Sequence, residues 1–355
     1  MIQTNRPPVR VGIVGLGRAG LEMHVPELLQ YPELFKIVAV CDTIKERRDA
    51  VLQYYPSCRT YRRYEDLLLD PDVELVDVAT RSEDHREHIL AGLKSGKWVN
   101  AERPFCRDED EAKILRAAAV RYGNKLLLRY NYRYEPAFLM TKEVAESGLL
   151  GEVYEIRMCR GTYVRRDDWQ TVKRCLGGAL LCWGPAFLDQ ALELLKTPPV
   201  KIYSDMKRIA AYGDAEDYVR IILHNFSGLT VDLEISGGRC GRDPLFQVSG
   251  DRGEFRIYPG DDFGTARYLD PENKLERRRS SVRTPPLGSF GSPETLVWVE
   301  QRMPIKPKAE CGMTLIWEHV FNAIRENKPY PITLESASEL MRVLSLVKKE
   351  SGYAR

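Results

Sequence analysis

A glycine-rich turn near the N-terminus constrains the fold of this 355-residue chain more than any other feature. The β-branched run 9–14 (VRVGIV) leads directly into Gly15-Leu16-Gly17-Arg18-Ala19-Gly20, and a helical pattern then continues to Leu29. A buried strand that ends in G-x-G-x-x-G and opens a helix is typical of a dinucleotide-binding βαβ unit. The three glycines allow a tight turn, a close approach of the backbone to a pyrophosphate, and close packing of the helix on the strand.

The first residue after the second apolar run is an acid, Asp42, which follows the glycine turn by about 20 residues. A carboxylate at this strand end can accept hydrogen bonds from both ribose hydroxyls of adenosine. It would also repel a 2′-phosphate, so the sequence favours NAD over NADP. The cations that would compensate, if they reach that phosphate, are Arg18, Lys45, Arg47 and Arg48.

Hydrophobic periodicity predicts that strands and helices alternate up to residue 128. Further strands are predicted at 35–41, 75–79, 97–101 and 125–128, with helices at 44–53, 83–94 and 109–121. Because strands that alternate with helices form βαβ units, this part should contain a parallel sheet. Pro26 lies inside the first helical stretch and predicts a kink or a restart there.

The pattern changes after residue 150, where strand-like runs follow one another and several are joined by short turns. These runs are 153–163, 200–210, 218–224, 229–235, 245–248 and 254–258. Short connections favour antiparallel neighbours, because a parallel crossover needs a dozen residues or more. Residues 260–309 are rich in proline and lack periodicity, which predicts a long loop or insertion. Helices at 314–326 and 334–350 close the chain.

Charge and cysteine usage exclude several classes of protein. The 53 basic and 51 acidic residues nearly cancel, whereas a nucleic-acid-binding protein usually has a basic excess. The longest nearly apolar stretch, 178–188, is far shorter than the ~20 residues of a membrane helix. The eight cysteines contain no Cys-x-x-Cys pair, which argues against structural zinc and a disulfide framework. With a polar first segment as well, we expect a cytoplasmic protein without metal, nucleic-acid or membrane partners.

Several later motifs are similar to those of one protein family. Ala79-Thr80 with His85 is similar to an Ala-Thr-Pro-Asn-x-x-His loop, with Arg81 and Ser82 in place of Pro-Asn. Residues 96–104 (GKWVNAERP) are similar to Gly-Lys-x-Val-x-x-Glu-Lys-Pro, and 131–133 (NYR) to Asn-x-Arg. Further matches are Pro136, 150–153 (LGEV), Trp169 and 177–180 (GGAL). Through these motifs the chain resembles the glucose–fructose oxidoreductase/inositol dehydrogenase/MocA family over nearly its whole length.

The resemblance implies a fold, a cofactor and a substrate class. We expect an α/β protein with an N-terminal NAD(P)-binding Rossmann domain over residues 1–128. A C-terminal α/β domain with a large, open, mainly antiparallel sheet should follow over 129–355 and serve substrate binding and oligomerisation. Members of the family usually bind NAD(P), oxidise or reduce a hydroxyl of a sugar or cyclitol, and assemble as dimers or tetramers.

The resemblance also assigns residues to the two ligands. The expected cofactor-binding residues are Gly15, Gly17, Arg18, Ala19, Gly20, Asp42, Thr80, Arg81, His85, Glu102 and Arg103. The expected substrate-binding residues are Tyr132, Arg133 and Trp183.

The departures from the family fall on its proton-transfer groups. The pattern Gly-Gly-x-Leu-x-Asp-x-Gly-x-His-x-x-Asp lands on 177–189, where Cys182 replaces the Asp and Ala186 replaces the His. Arg103 replaces the Lys of Glu-Lys-Pro. An arginine stays protonated in proteins and cannot act as the base, and an alanine transfers no proton. A thiol in an apolar run should have a raised pKa, which disfavours its thiolate.

Four residues remain as catalytic candidates. Arg103 can bind a carboxylate or vicinal hydroxyls, or polarise a carbonyl, as a fixed charge. Tyr163 is a candidate proton donor at the end of the first C-terminal strand, and Cys182 would have to act as a thiolate. Asp189 either accepts a substrate hydroxyl or caps or pairs locally within its helix.

The leading hypothesis is an NAD-dependent oxidoreductase that acts on a hydroxyl or carbonyl of a sugar, cyclitol or glycoside-like substrate with an atypical proton relay. A second hypothesis is redox-assisted epimerisation, elimination or glycoside cleavage, in which NAD is reduced and regenerated. A third is a catalytically silent cofactor-binding subunit, in which the basic segment 277–283 contacts a partner instead of being a solvated loop. We expect a homodimer or homotetramer formed through the C-terminal sheet.

Overall fold

The computed structural model describes residues 5–275, 279–285, 287–288, 294–307 and 312–353. Two sheets organise these residues, one of six strands and one of eight. Part of the basic segment that we predicted as a partner contact, Arg277 and Arg278, lies outside the described residues.

The first sheet is a parallel Rossmann sheet. Its strands are β1 (Val9–Val14), β2 (Phe35–Cys41), β3 (Arg59–Tyr61), β4 (Leu75–Val78), β5 (Trp98–Ala101) and β6 (Leu126–Leu128). They lie in the order β3-β2-β1-β4-β5-β6, and every pairing is parallel. The strand order reverses between β1 and β4, and in such sheets ligands bind at that switch point, beyond the carboxyl ends of the strands.

Helices connect the strands of the first sheet. They are α1 (Val25–Leu28), α2 (Lys45–Leu52), α3 (Tyr64–Leu68), α4 (His85–Lys94) and α5 (Glu109–Arg121). A π-helical turn, Gly20–His24, precedes α1, and Pro26 lies in the first turn of α1, so the predicted restart is confirmed. Strand β3 and helix α3 were not predicted, because Arg59-Thr60-Tyr61 is short and polar and carries no apolar pattern.

The second sheet is mainly antiparallel, as predicted. Its strands are β7 (Val153–Gly161), β8 (Lys201–Lys207), β9 (Tyr218–His224), β10 (Thr230–Ser236), β11 (Phe246–Gly250), β12 (Gly253–Ile257), β13 (Phe263–Leu269) and β14 (Trp298–Pro304). Their order is β14-β13-β12-β11-β7-β10-β9-β8. Among the described strands of this second sheet, only β7 and β10 pair in parallel, and this pairing joins the two antiparallel halves.

The prediction of an irregular loop over residues 260–309 is wrong for two segments. Strands β13 and β14 pair with each other at one edge of the second sheet. In β13 the inward positions include Gly264 and Ala266, and most of β14 is exposed. Neither strand therefore has the regular alternation of large apolar residues from which a strand is recognised.

The remaining helices bring the two sheets together. They are α6 (Pro136–Glu146), α7 (Ala179–Cys182), α8 (Gly184–Leu195), α9 (Ile316–Arg325) and α10 (Leu334–Glu350). Helices α7 and α8 pack on the inner face of the second sheet, and α10 packs on α5, α8 and β8. This arrangement places α7 opposite the carboxyl ends of the first sheet. In the described part of the chain, no helix combines the length and apolar character needed to cross a bilayer.

Candidate active site

A cavity of about 1040 Å³ follows the carboxyl ends of the first sheet. The glycine turn and Asp42 line one end of it, and Arg103, Tyr132 and Trp183 line the other. The cavity therefore extends from the predicted adenosine site to the predicted substrate-binding residues.

Each of the three positions in the turn requires glycine for a different steric reason. Gly15 has φ +88°, and a Cβ there would lie 2.7 Å from backbone atoms of Ala79. A Cβ on Gly20 would lie 2.0 Å from the Gly15 carbonyl oxygen, so the helix could not pack so closely. Nothing lies within 4 Å of a Cβ built on Gly17, whose backbone faces the cavity. The turn thus leaves open space where a pyrophosphate would approach the backbone.

Asp42 closes the adenosine end of the cavity. Its carboxylate accepts hydrogen bonds from the backbone N–H groups of Leu16 (2.7 Å) and Ile44 (2.8 Å). Of the predicted compensating cations, Arg47 approaches Asp42 at 3.7 Å, while Lys45 pairs with Asp49 at 2.5 Å and is directed away.

Two further arginines, Arg62 and Arg63, also line the adenosine end of the cavity. Neither arginine was predicted as a site residue, because both follow β3, a strand that was not predicted from the sequence.

His85 joins two loops that border the cavity. Its Nδ1 lies 2.6 Å from the Pro104 carbonyl oxygen and its Nε2 lies 3.0 Å from that of Thr80. The Thr80 hydroxyl lies 2.9 Å from His88 Nδ1, and the Arg81 guanidinium stacks 5.9 Å from the Trp169 ring. These contacts fix the wall that the Ala-Thr-x-x-x-x-His motif contributes.

A buried chain of charges lies beneath the cavity and was missed by the sequence analysis. His24 Nδ1 lies 2.6 Å from Asp77 and its Nε2 lies 3.1 Å from Glu102. Arg129 pairs with Glu102 at 2.9 Å and also with Glu27. No sequence pattern identifies this cluster, because its members come from five separate elements and meet only in the folded chain.

The cluster keeps His24 protonated and Glu102 ionised. Burial alone lowers the pKa of His24, but the Asp77 carboxylate and the hydrogen bonds to Asp77 and Glu102 raise it to about 9. Burial raises the pKa of Glu102, yet the hydrogen bond and charge of His24, with the charge of Arg129, hold it well below its usual range. Glu102, which lines the cavity, is therefore a permanent carboxylate next to Arg103 in sequence.

Arg103 is held in a defined position at the inner end of the cavity. Its guanidinium lies 5.3 Å from the ring centre of Tyr132 and 5.0 Å from that of Trp183. Its Nη1 donates a hydrogen bond to the Cys182 carbonyl oxygen at 2.5 Å. No carboxylate among the described residues forms an ion pair with it. The site therefore presents a fixed positive charge, which acts on the nearby Glu102 carboxylate but forms no direct ion pair with it.

Three other predicted site residues do not have the expected geometry. Arg133 forms two hydrogen bonds of 2.6 and 2.7 Å to Asp189, which is 3% exposed, and also pairs with Glu193. Neither Arg133 nor Asp189 is among the described residues that line the cavity, and their mutual pairing joins the start of the second domain to α8. Tyr163 is 58% exposed, forms an isolated β-bridge with Gly238, and also lies outside the lining. A short sequence distance to Trp169 thus did not bring Tyr163 into the site.

Cys182 lies in the cavity wall, where burial disfavours its thiolate form. Burial raises the pKa of its thiol to about 12. The thiol therefore stays protonated near neutral pH, and Cys182 is a small buried residue whose carbonyl oxygen positions Arg103.

A second cavity, of about 540 Å³, lies between α7, the start of α8 and the inner face of the second sheet. It shares several lining residues with the first cavity, so the two are contiguous. The shared residues are Arg18, Tyr132, Arg166, Gln170, Cys182, Trp183 and Met313. Arg166 and Gln170 come from the irregular segment before α7, where no motif drew attention to them.

The residues present fit a bound dinucleotide. The open space over Gly17 suits a pyrophosphate, the Asp42 carboxylate suits a ribose, and the fixed charge of Arg103 lies where the cavity continues into a second chamber. None of the described residues form a group of three or more His, Cys, Asp or Glu side chains that could hold a metal ion. Fold and site together define an NAD(P)-binding oxidoreductase.

Comparison with known proteins identifies the family. The profile "Oxidoreductase family, NAD-binding Rossmann fold" of the Gfo/Idh/MocA proteins matches residues 9–130, and the "GFO/IDH/MocA C-terminal domain" matches residues 138–256. The chain belongs to the glucose–fructose oxidoreductase/inositol dehydrogenase/MocA family and is an NAD(P)-dependent oxidoreductase.

Individual relatives cover much of the chain. An uncharacterized oxidoreductase of Schizosaccharomyces pombe is 32% identical over 263 residues, which is 70% of either chain. The scyllo-inositol 2-dehydrogenase (NADP(+)) IolW of Bacillus subtilis is 24% identical over 98% of this chain and 95% of its own. The crystal structure of an NAD-binding protein from Listeria innocua superposes with a TM-score of 0.81 at 22% identity, covering 98% of this chain and 96% of that one. This last likeness confirms the fold.

Proposed function

We propose that this protein is an NAD-preferring oxidoreductase that acts on a secondary hydroxyl, or the corresponding carbonyl, of a sugar, cyclitol or glycoside-like substrate. The observation that carries the proposal is the position of Arg103 in the first cavity, between Tyr132 and Trp183, whose rings also line the second cavity. No carboxylate among the described residues forms a direct ion pair with its guanidinium. A relative that spans nearly the whole chain is named as a cyclitol dehydrogenase, which supports the substrate class.

Different residues of the chain bind the dinucleotide and stabilise the charge that develops on the substrate. A bound dinucleotide supplies or accepts the hydride. The glycine turn receives the pyrophosphate and Asp42 accepts the ribose hydroxyls. Arg103 donates to the substrate oxygen and stabilises the negative charge that develops on it, but it does not take the proton. The rings of Tyr132 and Trp183 wall off that oxygen from water and keep the guanidinium in place.

A panel of neutral polyols tests this function. Scyllo-inositol, myo-inositol, glucose and simple glycosides are incubated with the protein and NAD, while reduced nicotinamide is followed by its absorbance. Net reduction with one of them supports the dehydrogenase. Conversion of a polyol or glycoside without net reduction would favour redox-assisted epimerisation, elimination or cleavage, and NAD binding without either would favour a silent subunit.

NAD should bind more tightly than NADP, because the Asp42 carboxylate repels a 2′-phosphate. Asp42→Asn should weaken NAD binding by about 10–100-fold, as expected for the loss of charge-assisted hydrogen bonds. It should also narrow or reverse the preference for NAD over NADP. The measurement is titration calorimetry with both dinucleotides. Asp49→Ala is the matched control, since Asp49 lies on α2 in an exposed pair with Lys45. Tighter binding of NADP by the unaltered protein would contradict the cofactor assignment.

We also propose that the protein forms a homodimer or homotetramer through the outer face of the second sheet. The apolar side chains of β9, such as Val219 and Ile221, point to the inner face, while the outer face carries cross-strand ion pairs such as Arg220 with Asp232 at 2.7 Å. The proposed interface is therefore polar, and raised salt should weaken it. Light scattering at micromolar concentration checks this, and a monomer at low salt would refute it.

A further inference from the structure

The second cavity has a part that the first cavity does not share, and we call it the distal part. Polar side chains such as Arg166 and Gln170 line both cavities, so they lie where the two meet. Most of the surface that the second cavity exposes is apolar. The apolar residues of the distal part include Val164, Phe187, Ala211, Ile235, Leu245 and Pro259. The space is therefore polar beside the dinucleotide site and mainly apolar beyond it.

The charged side chains of the distal part already bind groups of the chain itself. Arg160 donates to both carboxylate oxygens of Glu135, one of them at 2.9 Å. Asp217 accepts hydrogen bonds from the backbone N–H groups of residues 209–211 at 2.6–2.7 Å. One oxygen of Glu216 accepts a backbone N–H of α7 at 3.0 Å, and burial raises the pKa of this residue, which favours its uncharged form. A polar ligand group would thus find few partners among the described residues, whereas an apolar group needs none.

A wall of aromatic rings runs from Arg103 into the distal part. The Arg103 guanidinium lies 5.0 Å from the ring centre of Trp183, which lines both cavities. The rings of Trp183 and Phe187 stack with an interplanar angle of 2° and with centres 5.7 Å apart. Tyr132 meets both rings edge-on, with centres 6.5 and 5.3 Å away. A ligand bound beside Arg103 can therefore continue along this wall from the first cavity into the second.

The volume of the second cavity exceeds what a single sugar ring needs. It is about 540 Å³, in addition to the first cavity with its dinucleotide-binding residues. Pockets of roughly 300–1,000 Å³ hold ligands of drug size, and a sugar or cyclitol ring is smaller than these. Such a ring also carries hydroxyl groups on nearly every carbon, so it would not cover the apolar surface well. Volume and polarity together fit a ligand with one polar and one apolar part.

We propose that the substrate is a glycoside with an apolar aglycone, whose sugar ring lies beside Arg103 and whose aglycone fills the distal part of the second cavity. The inference rests on the proposed function and leaves its reaction unchanged, since the hydroxyl that is oxidised belongs to the sugar ring. The aglycone displaces water from apolar side chains such as Phe187, Ile235 and Leu245. Burial of this surface is then the main source of selectivity between a glycoside and a free sugar or cyclitol.

Phenyl and methyl glycosides of the same sugar test the proposal directly. The phenyl and methyl β-glucosides and β-galactosides are compared as substrates of the unaltered protein with NAD. We expect kcat/KM to be about 10–100-fold higher for the phenyl member of the active pair, because only its aglycone buries a ring in the distal part. Equal kcat/KM values for the two members would overturn the proposal.

Ala211→Phe tests where the aglycone binds, because the larger side chain fills part of the distal space. The phenyl-to-methyl ratio of kcat/KM should fall to about 1. NAD affinity should be retained, since Ala211 does not line the first cavity. Ala210→Phe is the matched control, because its N–H also donates to Asp217 at 2.7 Å but the residue lines neither cavity. A ratio that survives in Ala211→Phe, or that is lost equally in both variants, would overturn the placement.

Binding decides the role of the distal part even without turnover. Titration calorimetry compares the affinities of the phenyl and methyl glycosides for the unaltered protein with bound NAD. Tighter binding of the phenyl glycoside that Ala211→Phe removes supports the proposal, and equal affinities overturn it. If no polyol or glycoside is oxidised while binding remains selective for the phenyl group, the proposed function is refuted alone, so the two failures are distinguishable.

Discussion

Arg103→Ala should lower turnover by about 10²–10³-fold, the loss typical of removing one preorganised electrostatic stabiliser. The side chain is fixed by two aromatic rings and by the Cys182 carbonyl oxygen, and no described carboxylate forms a direct ion pair with it. Its charge is therefore directed at the ligand that enters the junction of the cavities. NAD affinity should change little, because the glycine turn and Asp42 bind the distant part of the dinucleotide.

Steady-state kinetics on the active polyol, together with calorimetric NAD binding, measure the effect of Arg103→Ala. Arg107→Ala is the matched control, since Arg107 is four residues away, exposed, and pairs only weakly with Glu111 at 4.0 Å. Arg103→Lys should retain partial activity at most. A lysine restores the charge, but it lacks the planar fork, and positions 182 and 186 still lack the Asp and His of the family. Unchanged turnover in Arg103→Ala would show that the junction is not the reaction site.

Local sequence signals predicted the cofactor half of the site. The strand 9–14, the glycine turn and the acid at the end of the strand 35–41 are consecutive in the chain, and each is recognisable from its neighbours. Helix α5 was predicted with its observed bounds, and in the structure the Asp108 side chain caps its N-terminus. Interactions between residues that are close in sequence are enough to predict such features.

The substrate half was predicted less well because it depends on contacts between distant residues. Arg133 was assigned to the substrate from its motif position, and Asp189 either to the substrate or to a local partner. The two residues are 56 positions apart and form an ion pair with each other. Glu216 reaches α7 from 36 residues away, and no motif includes it. Which charged groups remain unpaired is decided only by the folded chain, and those are the groups available for chemistry.

Asp77→Ala should lower the free energy of unfolding by about 3–5 kcal/mol, because removing one partner of a buried ion pair leaves the other charge uncompensated. Asp77 and His24 are both fully buried and lie 2.6 Å apart, and Asn100 donates to the second Asp77 oxygen at 2.7 Å. Urea unfolding measures the change. Asp49→Ala, which breaks an exposed pair, should cost less than about 1 kcal/mol.

The pH dependence tests whether charge is the cause of this loss. His24 has a pKa of about 9 when folded and 6.5 as its ordinary value, so the folded protein binds its proton more tightly. The corresponding stabilisation, about 3 kcal/mol, is complete below pH 6.5 and is lost as the pH rises toward 9. Asp77→Asn, which keeps the shape of the side chain, should remove most of this slope. The stability gap between this variant and the unaltered protein should therefore narrow from pH 6.5 to 9, and a gap that stays constant would show that packing, not charge, holds the cluster together.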